Sequence, residues 1–274
     1  MKLKLSISIL LLLMYSTTMA QLVTKRNVLT MEGLVIRKGP SMKSERLGVL
    51  PYGTAVIPFY EVGVSVADTI SGIPGTWMQI QQDSISGYYF DGFTSKFPAP
   101  KLQDKWVGLD NYMNTRFEKA SELKTVAIPN RHGEEEKEKA VQQTFKTGIT
   151  LTDFGDEEDH DQELIFENAN VYEIFLIATA INMNFRYISL NQDYKKVEQE
   201  VLEGGSYEII WNKELKPKRH LIQYYLGISI KKSPDNSIER IELFFDNDAP
   251  CAGFMKIFQL PDGKVKLSLE QGCH

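Results

Sequence analysis

The chain has 274 residues, a formal net charge of −5 and two cysteines. That length leaves room for two domains of ordinary size. An acidic chain gains nothing from the counterion release that drives nucleic-acid binding, so the charge argues against a nucleic-acid partner.

At the N-terminus Lys2 and Lys4 give a basic start, and residues 5–14 form an apolar core too short to span a bilayer comfortably. Residues 15–20 then turn small and polar, with Thr18 and Ala20 placed for cleavage before Gln21. Residues 1–20 read as a secretory signal peptide, which implies an exported protein, periplasmic or secreted. Its removal makes the mature chain more acidic still. No Cys follows the apolar run, which argues against lipid attachment there. No later stretch is apolar for long enough to cross a membrane.

Residues 33–93 alternate short apolar runs with turn chemistry. They read Gly33-Leu34-Val35-Ile36-Arg37-Lys38-Gly39-Pro40-Ser41, then Leu47-Gly48-Val49-Leu50-Pro51-Tyr52-Gly53-Thr54-Ala55-Val56, then Trp77-Met78-Gln79-Ile80 and Gly87-Tyr88-Tyr89-Phe90-Asp91-Gly92-Phe93. Runs bounded by Gly and Pro are the strand-and-turn signature of a small all-β unit. Gly39-Pro40-Ser41 cannot continue a strand, and Pro51-Tyr52-Gly53 suits a turn with Pro at its first central position. Over residues 30–96 this order resembles the bacterial SH3-like domain, a small β-barrel found in exported and cell-wall proteins. The resemblance implies a binding module for cell-wall peptide or a protein partner, with no chemistry of its own. The link from Ile57 to Thr76 is longer than the family pattern and reads as an extended hairpin or loop. Trp77 and Phe90 are expected in the core. Tyr52, Tyr60 and Tyr89 are expected at the surface, lining a shallow groove of the kind that takes extended ligands. Arg37 matches the family pattern and is expected to bond turn carbonyls.

Phe97-Pro98-Ala99-Pro100 reads as a short, stiff linker closing a first domain over 21–98. A second domain over 101–274 resembles no recognised family. Its loosely periodic start predicts a helix over 109–126. The charged run 131–139 reads as the exposed start of a helix continuing through Val141 and Phe145, or as a solvated loop. Strands are expected over 147–154 and 163–167, flanking an acidic loop. Asn170 is placed to cap a buried, nearly all-apolar helix over 171–183. A more polar helix is expected over 192–202, ended by Gly204-Gly205. The C-terminal third then alternates like an antiparallel meander, with strands over 206–211, 220–231, 238–246, 251–259 and 264–269. Ser233-Pro234-Asp235-Asn236 and Pro261-Asp262-Gly263 supply its turns. Helices followed by gathered strands suggest an α+β domain.

Both cysteines, Cys251 and Cys273, fall in the exported part, where oxidation is permitted. A bridge between them closes a loop of about 20 residues and adds roughly 3 kcal/mol if unstrained. Compartment and even count favour this disulfide over two free thiols. Pro250-Cys251-Ala252-Gly253-Phe254 also resembles the nucleophile motif of NlpC-type cell-wall peptidases, where the Cys opens a helix and a His follows some tens of residues later. Here residues 254–259 read as a strand, His132, His160 and His220 lie upstream, and His274 alone follows. A structural half-cystine is the better reading. The acidic cluster Asp153, Asp156, Glu157, Glu158, Asp159, Asp161 and Glu163, with His160, lacks the central Gly of a calcium-binding loop and reads as a solvated hairpin tip.

No Ser/His/Asp spacing, HExxH pattern or phosphate loop stands out. The expected whole is mainly β plus α+β: a small SH3-like β-barrel followed by an α+β domain with an antiparallel sheet. The expected role is non-enzymatic binding to cell-envelope peptide or a protein partner, without cofactor or metal. The competing expectations are a cell-wall peptidase or amidase with its site in residues 101–274, and a structural or assembly module.

Overall fold

The structure is a computed structural model that describes residues 25–58, 65–82, 85–102, 108–129, 137–155, 161–182, 185, 188, 190, 201–202, 205–215, 224–246 and 251–273. The segments expected as signal peptide (1–20) and polar helix (192–202) lie outside these residues, except that Val201 and Leu202 are extended.

The N-terminal part is all antiparallel strand. Its elements are β1 (Arg26–Val28), β2 (Leu34–Arg37), β3 (Arg46–Leu50), β4 (Ala55–Val56), β5 (Val66–Ile70), β6 (Ile73–Gln82), β7 (Ile85–Phe90), a single 3-10 turn (Asp91–Phe93) and β8 (Thr94–Ser95). They form a five-stranded sheet in the order β3-β2-β7-β6-β5 and a three-stranded sheet in the order β4-β1-β8. Among the described residues no strand pairing joins the two sheets into a closed ring. Within the long link between Val56 and Trp77, the described residues 66–76 belong to the β5–β6 hairpin. Its two-residue turn, Ser71 and Gly72, has φ of 54° and 77°, the left-handed pair that matches the twist of the flanking strands. Val28, Leu34, Ile36, Leu50, Val56, Ile80 and Tyr89 form the core of this unit.

The second part holds two α-helices among the described residues, α1 (Leu109–Arg116) and α2 (Val171–Ile181), and one large sheet. Its strands are β9 (Lys124–Pro129), β10 (Lys137–Thr144), β11 (Thr150–Asp153), β12 (Gln162–Phe166), β13 (Val201–Leu202), β14 (Gly205–Leu215), β15 (Tyr224–Lys232), β16 (Ile238–Asp246), β17 (Cys251–Gln259) and β18 (Val265–Cys273). The order β13-β14-β15-β16-β17-β18-β12-β11-β10-β9 makes ten strands, all paired antiparallel. The meander follows the sequence pattern closely: Asn236 and Gly263 take φ of 69° and 82° at the two expected turns. Asn170 caps α2 as its position predicts, its Oδ1 accepting from the Glu173 amide at 2.9 Å. Helix α2 buries ten of its residues and packs on β17 and β18.

The expected helix over 109–126 is corrected. It stops at Arg116, where the Phe117 amide bonds the Met113 carbonyl and the backbone turns extended. Phe117 packs edge-on against Tyr112 and Phe145, with ring centroids 5.1 and 6.3 Å apart. Beyond it, β-branched Thr125, Val126 and Ile128 suit the edge strand β9 better than a helix. Part of the charged run, residues 137–139, opens β10.

The proline segment expected as a linker is a seam. Phe97 and Ala99 are 6% and 4% exposed and belong, with Leu29 and Ile73, to the same apolar core as α1, α2 and the large sheet. The Phe97 ring meets Phe166 edge-on at 5.1 Å. Its carbonyls are taken up too: Tyr112 Oη donates to Pro98 O at 2.8 Å, Tyr52 Oη to Pro100 O at 2.9 Å and Asn27 Nδ2 to Phe97 O at 3.0 Å. Each buried carbonyl that finds a donor removes a desolvation cost of about 1–3 kcal/mol.

Candidate functional site

The five-stranded sheet has one face turned into the N-terminal core and one turned away. Strand alternation sorts the residues between them. Along the paired β6 and β7, Met78 and Ile80 oppose Tyr89 and Gly87 on the core face. Trp77, Gln79 and Gln81 oppose Phe90, Tyr88 and Ser86 on the other. At one end of that second face Trp77 and Phe90 bury each other, with centroids 5.8 Å apart, and Phe93 closes on Phe90 at 5.2 Å. The Trp77 indole N–H donates to Asp68 Oδ2 at 3.0 Å. Toward the other end the aromatic cover stops, and a groove of about 300 Å³ opens, lined by Lys38, Gln79, Gln81, Ser86, Gly87 and Tyr88 among others.

The groove is built by close backbone approach. A Cβ on Gly87 would lie 2.5 Å from the Arg37 carbonyl oxygen, so only glycine lets β7 seat against β2 here. Gln79 Nε2 donates to Tyr88 Oη at 3.0 Å and fixes the phenol at the rim. Arg37, opposite Tyr88 in the ladder, sends Nη1 to the Ser44 carbonyl at 2.8 Å, the turn-bonding role expected for it. Lys38 stands 3.5 Å from Glu45 in an exposed pair, which contributes little to stability. Amide, phenol, hydroxyl and ammonium groups thus line a shallow, open strip. That set suits hydrogen bonding to an extended polar chain.

The sequence-predicted rings fall differently. Tyr89 is 0% exposed and belongs to the core, so its expected place at the surface is overturned: alternation separates it from Tyr88, and it is Tyr89's face that the module buries. Tyr52 is likewise not a groove residue; it is partly buried against the shared core, and burial pushes its phenol well above the ordinary tyrosine range. Tyr60 lies outside the described residues. Trp77 and Phe90 are core, as expected. Nothing in the local sequence marks Tyr88, Gln79 and Ser86 as groove residues; strand alternation alone sets Tyr88 on the face opposite Tyr89.

A larger concavity of about 740 Å³ lies at the turn end of the big sheet, between the β15–β16 and β17–β18 turns. Its charges are matched internally. Lys231 pairs with Glu239 at 3.0 Å, Arg240 with Glu242 at 3.4 Å, and Arg240 also lies over the Phe258 ring. Asp235 there is held at a pKa of about 2 by hydrogen bonds from Ser233 and Ser237, which is turn chemistry.

Of the acidic cluster, residues 156–160 lie outside the described residues. Asp153 accepts from Gln162 Nε2 at 2.8 Å and from the Gly155 amide at 2.9 Å, while Glu163 pairs with Lys266 at 2.7 Å. Among the described residues no three His, Cys, Asp or Glu converge as metal ligands would. All four histidines lie outside them. Cys251 opens strand β17, not a helix, so the backbone context of the cell-wall peptidase nucleophile is missing. Cys273 ends β18 directly across the ladder from it.

Among known proteins, no family model, no curated protein and no solved structure matches this chain. No helix among the described residues is long and apolar enough to cross a membrane.

Proposed function

We propose that this is an exported, non-enzymatic binding protein whose N-terminal unit is a bacterial SH3-like module that takes an extended cell-envelope peptide in the Lys38–Gln79–Tyr88 groove. The observation that carries this reading is the division of the β6–β7 pair: one face is spent on the module's core, and the other opens into a polar strip with an aromatic rim. Small β modules bind extended peptides on such strips, with main-chain hydrogen bonding for affinity and rings for grip. The motif order over residues 33–93 and the signal-like N-terminus support the same reading. The large sheet serves as the base to which the module is fixed.

The test is sedimentation of the full mature chain with purified peptidoglycan. The whole chain is required because Leu29, Ile73, Phe97 and Ala99 of the N-terminal unit lie in the shared core. Tyr88→Ala is expected to weaken binding about tenfold, since a ring anchor of this kind contributes roughly 1–2 kcal/mol. If the wild type stays in the supernatant, or if Tyr88→Ala sediments equally well, the groove is not a wall-peptide site.

A further inference from the structure

The last hairpin of the large sheet carries information about its two cysteines that spacing alone does not. Strands β17 and β18 are joined by a tight turn in which the Gly263 amide bonds the Leu260 carbonyl at 3.0 Å, and the Leu260 amide bonds the Lys264 carbonyl at 2.8 Å. Leu260 and Lys264 are therefore a hydrogen-bonded pair. From there the register runs unbroken, Gln259 opposite Val265, Phe258 opposite Lys266, and on to Cys251 opposite Cys273. In an antiparallel ladder, hydrogen-bonded and non-hydrogen-bonded pairs alternate. Even-numbered residues of β17 share the hydrogen-bonded class with Leu260, and odd-numbered ones do not. Cys251 is odd. It faces Cys273 at a non-hydrogen-bonded site, where opposed Cα atoms stand about 4.5 Å apart, inside the roughly 4.4–6.8 Å range a disulfide spans.

We propose that Cys251 and Cys273 form an intramolecular disulfide directly across the β17–β18 ladder, stapling the open end of this hairpin. Bond formation is a two-step exchange with a disulfide oxidant. One cysteine thiolate attacks the oxidant's disulfide and releases a thiolate. The second cysteine thiolate then attacks the mixed disulfide and releases the other. Two protein thiols become one disulfide, the oxidant's disulfide becomes two thiols, and the two protons pass to the released sulfurs. In the cell the oxidant is a thiol–disulfide oxidoreductase of an oxidising compartment, so the bond there rests on the export reading; the ladder geometry does not.

The experiment refolds the full mature chain, fully reduced, in a mixture of reduced and oxidised glutathione. The expected product is a monomer two hydrogens lighter, with no thiol reactive after denaturation and a single cross-linked peptide joining Cys251 to Cys273. Two persistent thiols, glutathione adducts on both cysteines, or disulfide-linked dimers would overturn the proposal. As a second readout, reductant is expected to lower the folding equilibrium constant of the wild type by on the order of a hundredfold, to match Cys251→Ser/Cys273→Ser, and to leave that double variant unchanged. An unfolding midpoint indifferent to reductant in the wild type would also overturn it. Thiols in protein recovered from its native compartment, together with ready closure in glutathione, would support the ladder inference and refute export.

Discussion

Glu173 is the most exposing place to perturb the union of the two parts. It sits in the first turn of α2, 5% exposed, and its Oε1 accepts from the Ser95 hydroxyl at 2.6 Å and the Lys96 amide at 2.9 Å. Both donors belong to the N-terminal unit at and just beyond β8. Hydrogen bonds to a charged group contribute about 1.5–3 kcal/mol each, and a buried donor left without an acceptor adds a desolvation cost of its own. Glu173→Ala removes the acceptor and orphans the Lys96 amide, so a loss of about 3–5 kcal/mol is expected. Glu173→Gln keeps an oxygen in place and is expected to lose about 1 kcal/mol. Urea unfolding followed by far-UV circular dichroism and by tryptophan fluorescence measures both. With a slope near the upper end of the usual range, about 3 kcal/mol per molar, the alanine variant shifts the midpoint by about 1–1.7 M. The two probes are expected to coincide in the wild type, because one core spans both units. An alanine variant within about 0.5 kcal/mol of wild type, or a glutamine variant as damaging as alanine, would refute the argument.

Gly227 lies under the Phe244 ring across the β15–β16 ladder, and a Cβ there would come within 1.6 Å of the ring. Gly227→Ala is therefore expected to expel the ring and destabilise by about 1–3 kcal/mol, and to cost much less on a Phe244→Ala background, in denaturant unfolding of the four-member cycle. At Asp235, hydrogen bonds from Ser233 and Ser237 depress the carboxyl from 3.8 to about 2. A depressed carboxyl stabilises the fold above its unfolded pKa and loses that effect as pH falls toward its folded one. Thermal melts should show Asp235→Ala less stable than wild type at neutral pH, with the gap closing as pH drops from 3.8 toward 2.

Local features were legible and partnerships were not. The meander strands, the Asn170 cap and the turns at Asn236 and Gly263 follow from residues within a few positions of one another. The helix end at Arg116 was not legible, because Phe117 is drawn out of helical geometry by Phe145, a contact across 28 residues. Strand alternation puts Tyr88 and Tyr89 on opposite faces but holds no sign of which face is buried. Asn170 and Glu173 have the spacing of a capping box, which suggests a carboxylate turned back on its own helix; the carboxylate reaches Ser95 instead. Phe97-Pro98-Ala99-Pro100 has linker composition, and nothing nearby in the chain announces the tyrosines that hold its carbonyls.

Those tyrosines make the proline segment unsuitable as a cut point. A fragment ending near residue 98 would leave Leu29 and Ile73 facing water and strip Tyr52 of its acceptor on Pro100. The N-terminal piece is therefore no interchangeable cassette. Grafted onto another protein it would carry an unhealed wound where Leu29, Ile73 and Phe97 now meet the shared core.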